Sequence, residues 1–164
     1  MKICVVSDSH GEVENLQDVI DSSDFDILIH LGDDYIDMDN VSIPQEFIRV
    51  PGVYDDEYFQ NNIEKRILKK FGYFSFLLTH TRWSHENDAR AGSIIKPEDL
   101  YEKGEVDVVL FGHTHIPEIS YNGKFLFINP GHLKSEDKKG YDPSFVILEV
   151  SDDNLKIESF KLDK

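Results

Sequence analysis

The chain has 164 residues, 40% hydrophobic and 30% charged, with a formal charge of −15 from 32 acidic against 17 basic side chains. This length and balance suit a single soluble domain spanning residues 1–164, and no window supplies the roughly 20 apolar residues of a membrane span. The acidic excess repels polyanions, so long nucleic acid is disfavoured as a partner; a small phosphorylated ligand is not, because bound cations can reverse the local field.

Lys2 to Ser7 (KICVVS) reads as a short buried strand, and it reaches Asp8 too early for the apolar region of a signal peptide. Cys4 is the only cysteine, so no internal disulfide can form, and the expected address is cytoplasmic. Glu12 to Ser22 follows as a helix with Leu16, Val19 and Ile20 on one face. Ile27 to Leu31 and Phe47 to Val50 give two further strands, ending in Gly32-Asp33-Asp34 and Pro51-Gly52. Buried-type strands with such crossovers are the pattern of βαβ units.

The second half changes character. Lys65 to Phe71, Gly72 and Tyr73 to Thr79 form a predicted hairpin whose second arm ends at His80. A helix through Pro97 to Lys103 leads to a strand over Val106 to Phe111. Strands Ile119–Tyr121 and Phe125–Ile128 flank Asn122-Gly123, and Ser144–Val150 turns through Asp152-Asp153-Asn154 into a last strand, Leu155–Leu162. The predicted fold is α/β: a four-layer-type α/β sandwich of two mixed sheets flanked by helices. An exposed edge such as Leu155–Leu162 would allow a homo-oligomer without requiring one.

The functional signal lies in where the unusual residues fall. Asp8 and His10 follow the first strand, Asp33 the second and Asp55 the third; His80 ends the hairpin arm, and His113 and His115 close VVLFGHTH. In α/β sheets the carboxyl ends of strands meet at one crevice, where ligands bind. Aspartate and neutral imidazole are donors for Mn, Fe, Co, Ni or Zn, and two such ions can clamp a phosphate between them. A multi-cysteine structural zinc site is excluded, as are dinucleotide and Walker-type phosphate loops, whose motifs are absent from the sequence.

Asp8-Ser9-His10, Gly32-Asp33, Thr79-His80 and Gly112-His113-Thr114-His115, in that order, resemble the calcineurin-like metallophosphoesterase superfamily. The length and the Asn129-Pro130-Gly131 segment are similar to its small bacterial and archaeal phosphodiesterase branch. The resemblance implies one or two divalent ions, manganese by preference with Fe, Ni, Co or Zn as alternatives. Asp8, His10 and His115 would hold the first ion, Asp33 would bridge, and His80 and His113 would hold the second. It also implies attack of a metal-activated hydroxide on a small phosphoester, with Asp55, Asp33 and His10 as the catalytic set. Asp55 stands where the family places a residue that protonates the leaving group or holds the phosphate.

One departure bears on the second ion. Pro51-Gly52-Val53-Tyr54-Asp55 puts valine where the family uses an asparagine ligand, which predicts a weakened second site unless Asp34, Asp55 or Asp56 substitutes. Thr81-Arg82-Trp83 replaces the family's Gly-His after His80, and His132 replaces its serine after Asn129-Pro130-Gly131. Arg82 and His132 are candidates to touch a phosphate, weighed against a solvated arginine and a loop histidine. His30 is expected to be packed at a strand end, and His85 to face solvent. The charged loop Lys134 to Lys139 offers nothing further. The alternative to an enzyme is a non-catalytic or weakly active interaction module, such as the retromer subunit of this same fold.

Overall fold

A computed structural model describes residues 1–92 and 95–162. Among these residues, ten strands form two five-stranded mixed sheets. The first has the order β10 (Leu155–Lys161), β9 (Ser144–Val150), β1 (Lys2–Val6), β2 (Ile27–His30), β3 (Glu46–Arg49). The second has the order β4 (Arg66–Phe71), β5 (Phe74–Thr79), β6 (Val108–Leu110), β8 (Leu126–Asn129), β7 (Glu118–Tyr121). The centre of each sheet is parallel, with β1 beside β2 and β5 beside β6, while the flanking hairpins are antiparallel.

Side chains alternate across each strand, and here both faces are buried. Ile3 and Val5 of β1 face the other sheet, where they meet Phe76, Leu78, Val108, Leu110 and Ile128. Cys4 and Val6 face outward against Leu16, Val19 and Ile20 of α1 (Val13–Ser22). On the opposite side Leu77, Val109 and Phe127 face outward onto Leu100 and Tyr101 of α2 (Pro97–Lys103). The layers are therefore helix, sheet, sheet, helix, as the sequence pattern predicts. Each fully buried aliphatic side chain contributes about 1.5–3 kcal/mol, which is why these runs read as uninterrupted apolar blocks.

The differences from expectation sit at strand ends. β6 is limited to Val108–Leu110, shorter than the predicted Val106 to Phe111, because the chain there leaves the sheet to deliver polar residues. Three short 3-10 turns, Tyr35–Asp39, Asp56–Phe59 and Glu86–Ala89, lie in stretches without periodicity. Among the described residues, no helix is long and apolar enough to cross a membrane.

Candidate metal centre

The parallel strands β1, β2, β5 and β6 release their chains at one end of the sandwich. Two groups of donors meet there: Asp8, His10, Asp33 and His115, and Asp33, His80 and His113, with the ligand atoms of each group within 4.8 Å of one another. Asp33 belongs to both. Its two carboxylate oxygens separate the roles, with Oδ2 lying 3.6 Å from His10 Nε2 and Oδ1 3.2 Å from His80 Nε2. Asp8 Oδ1 lies 3.3 Å from His115 Nε2, and His10 Nε2 and His115 Nε2 are 3.0 Å apart. Six of the residues singled out in the sequence thus converge, with His10 and His115, for example, 105 positions apart in the chain.

The backbone has been bent to achieve this. Outside glycine, positive φ occurs among the described residues at Asp8 (54°), His10 (50°), Asp33 (57°), Asp34 (62°), His113 (69°) and His115 (60°). Five of these six are donors of the cluster. Asp and His tolerate the left-handed region better than most residues, yet each such residue costs about 1 kcal/mol. Two glycines allow the close approach. A Cβ at Gly52 would overlap the Asp33 carboxylate, and one at Gly112 would overlap the Ser7 hydroxyl and crowd Asp8.

Hydrogen bonds to the outer ring nitrogens fix which nitrogen faces the centre. His80 Nδ1 lies 2.8 Å from the Leu31 carbonyl and donates to it, leaving Nε2 for the site. His115 Nδ1 lies 2.8 Å from Asp137 Oδ1, a carboxylate–imidazole pair that aims Nε2 at Asp8 and Asp33. His113 turns Nδ1 inward, 3.2 Å from His80 Nε2. Asp8 is held by the His113 backbone N–H, 3.0 Å from Oδ2, and by the Ser7 hydroxyl.

The electrostatics are those of a cation site. Burial pushes the Asp33 carboxyl up, and the charges of Asp8 and Asp55 add to it, against the pull of His80. Burial works the same way on Asp8, but His115, His80 and the Ser7 hydroxyl overcome it and hold that carboxyl down. His115 is raised, first by its hydrogen bond to Asp8 and then, against burial, by Asp137. Burial lowers His113 to about 4 and also lowers His10, leaving both rings neutral and able to ligate. One carboxylate ionised beside another driven toward its neutral form is a strained pairing, which a divalent ion relieves. The donor set therefore fits one or two such ions.

The other residues singled out in the sequence lie outside both donor groups. Asp55 does not belong to either donor group. Its oxygens accept backbone N–H groups of Asp34 (3.1 Å), Tyr35 (3.1 Å) and Gly52 (2.7 Å), pinning the loop after β2 to the loop after β3. A carboxylate so engaged clamps the two loops together. Asp34 stands before the turn Tyr35–Asp39 but makes no side-chain capping bond. Arg82 pairs with Glu118 at 2.9 Å and lies over the rings of Phe111 and Phe127. His132 is wholly buried, donating to the Tyr141 carbonyl at 3.1 Å and accepting from the Lys134 N–H at 3.1 Å. Both ring nitrogens of His132 are thus engaged, whereas Arg82 commits one guanidinium nitrogen to Glu118. His30 is packed at the end of β2 and hydrogen-bonded through Nε2 to Ser9 Oγ at 2.8 Å.

Val53 is also fully buried, in an apolar cluster with Tyr58 and Ala91. Two contacts to residues of the cluster were not visible in sequence. Asp137 lay in a loop read as merely charged. His85, expected to face solvent, instead packs edge-on against His113 with ring centroids 5.8 Å apart.

Residues 1–153 match the family model described as the calcineurin-like phosphoesterase superfamily domain. The chain is 26% identical over 162 residues to the "Probable metallophosphoesterase YsnB" of Bacillus subtilis (strain 168), covering 98% of this chain and 90% of that protein. Its fold is similar to that of a structure described as a novel archaeal phosphodiesterase, with a TM-score of 0.71 at 22% identity, covering 98% of this chain and all (100%) of the other. A single mutant of Vps29 from Entamoeba histolytica is similar at a TM-score of 0.65 and 20% identity, covering 99% and 100% of the two chains.

Proposed function

Because the chain belongs to the calcineurin-like phosphoesterase superfamily, we propose that it is a divalent-metal-dependent phosphodiesterase acting on a small phosphoester. One observation carries this reading: Asp33 is shared by two donor groups, each complete enough to hold an ion. Asp8, His10, Asp33 and His115 would hold one cation, and Asp33, His80 and His113 the other. Cations bound there supply Lewis-acid polarisation of the phosphate and acidify a water for in-line attack.

The protein's own contribution is positional. The Leu31 carbonyl and Asp137 lock the His80 and His115 rings so that neutral nitrogen faces inward. Asp33 sets the spacing of the two groups. His10, the most exposed of the three histidines that face Asp33 or Asp8 directly, with 31% of its side chain accessible, borders the open side of the site, where a phosphoester enters. The charge of −15 favours a small substrate over long nucleic acid.

Metal affinity in this reading is tied to pH. Asp33 and His115 hold on to protons more strongly than usual in the metal-free protein, and a cation must displace them. Lowering pH below about 7 therefore favours protons over metal and weakens manganese binding. Calorimetric titration with manganese in buffers of differing ionisation enthalpy reads the protons released. Expected are more than zero protons near neutrality and a falling affinity toward acid; pH-independent binding without proton release contradicts the assignment.

A second reading, a partner-binding module with a vestigial site, is favoured by Val53. With its side chain in an apolar cluster it donates nothing, so the His80–His113 group has only three protein donors against four in the other. Manganese-dependent hydrolysis of bis-p-nitrophenyl phosphate, with equilibrium dialysis of manganese in parallel, separates the two readings. The enzyme reading expects turnover and two unequal affinities. A folded protein that binds manganese yet turns over no diester with any divalent ion supports the module.

A further inference from the structure

His85 is an imidazole beside the cluster that neither donor group uses. It packs edge-on against His113 at 5.8 Å and against Tyr54 at 5.5 Å, and Tyr54 in turn lies 6.4 Å from His113, so three rings form a continuous rim over the His113 side of the centre. Tyr54 is 64% exposed, so this rim is the face a ligand meets.

The ring is held by more than its stacking. His85 Nδ1 accepts the Asn87 backbone N–H at 3.2 Å, and the His85 backbone N–H donates to Asp88 Oδ2 at 3.1 Å. Asp88 is fixed by Tyr58 and by Arg66 at 2.9 Å, while the Asn87 side chain donates to the Val53 carbonyl at 2.8 Å. The segment is thereby strapped onto the same loop that carries Val53.

The bond to Asn87 also settles the tautomer. A ring nitrogen that accepts an N–H carries no hydrogen, so the neutral His85 ring has its hydrogen on Nε2. It is therefore presented as a donor and not as a further lone pair for the group of Asp33, His80 and His113. His85 also forms part of the wall of a surface cleft of about 460 Å³ with Ser84, Glu86 and Lys96, which gives the group esterified to a phosphate somewhere to lie.

We propose that His85 is a substrate-binding residue whose Nε2–H donates a hydrogen bond to a phosphoryl oxygen held at the His113 side of the centre. This deepens the phosphodiesterase reading and rests on it. It assigns a direct contact with substrate to a residue five positions beyond His80.

The test compares His85→Ser with His85→Gln in the manganese-loaded protein. Serine keeps a capping acceptor for the Asn87 N–H but has no donor at reach; glutamine keeps a donor at similar reach. A hydrogen bond to a charged oxygen predicts at least about a tenfold loss in His85→Ser, both in affinity for inorganic phosphate and in kcat/KM for bis-p-nitrophenyl phosphate. His85→Gln should recover most of each, and both variants should bind the same number of manganese ions as the parent. The proposal is overturned if His85→Ser binds phosphate as well as the parent, if glutamine does no better than serine, or if either variant loses a manganese equivalent. A parent protein that binds phosphate through His85 but hydrolyses no diester would refute the phosphodiesterase reading alone.

Discussion

Asp8→Asn lowers manganese-dependent diester hydrolysis by roughly a thousandfold and removes the tighter of two manganese affinities. The magnitude follows from the several kcal/mol that Lewis-acid stabilisation provides, at 1.4 kcal/mol for each tenfold. Asparagine matches aspartate in shape and retains an acceptor for the His113 backbone N–H, which lies 3.0 Å from Asp8 Oδ2. What it loses is the anion that His115 faces at 3.3 Å and that a cation requires. The variant should therefore melt within a few degrees of the parent while losing its metal, with exchange of the exposed Asp18 for asparagine as the neutral control. Undiminished turnover, with two manganese ions still bound, would show that the cluster is not the catalytic centre.

Arg66→Ala is expected to be the most damaging single change for stability. Only 1% of the Arg66 side chain is accessible, and every part of its guanidinium is engaged. Nη1 donates to Asp88 Oδ2 at 2.9 Å and to the Ile95 carbonyl at 2.8 Å, Nε to Thr79 Oγ1 at 3.2 Å, and Nη2 to Thr81 Oγ1 at 3.3 Å. Removing one partner of such a buried pair strands the other and typically costs about 3–5 kcal/mol. For a protein of this size that corresponds to a fall in Tm of roughly 10 °C.

The pH dependence adds a signature. Burial opposes it, but Tyr58 and Arg66 together hold the Asp88 carboxyl below its ordinary value. A depressed carboxyl contributes its stability above its unfolded value, and that contribution disappears as pH falls through the folded one. The Tm gap between parent and Arg66→Ala should accordingly be full near neutrality and shrink below about pH 4. A gap that is constant down to acid would mean that the loss is one of packing alone. Because Asp88 also anchors the His85 backbone, the variant should lose phosphate affinity in step with His85→Ser.

Much of the architecture could be read from the chain because its strands are buried on both faces. Ile3 to Val6, Ile27 to Ile29 and Val108 to Phe111 have no polar face to confuse the pattern. A histidine or aspartate that ends such a run stands out, which made Asp8, His10, Asp33, His80, His113 and His115 visible together. What remained hidden depends on contacts between loops that carry no period. Asp137 reaches His115 across 22 residues, and Arg66 reaches Asp88 across 22; nothing local marks either. The loop-clamping role of Asp55 was hidden for the same reason: its oxygens accept three backbone N–H groups that only the folded loops bring near. The partners of Arg82 and His132 were equally hidden, one pairing through Nη1 with Glu118 and the other bonding Tyr141 and Lys134.

The left-handed backbone at Asp8, His10, Asp33, His113 and His115 has a bearing on attempts to engineer this protein. These are positions where glycine would relax the main chain and raise thermal endurance. A library screened for survival on heating alone, without metal or turnover in the selection, would drift toward glycine at the very sites that gather cations. Robustness and chemistry pull the same few peptide units in opposite directions, so any stabilised descendant must find its gains elsewhere in the molecule.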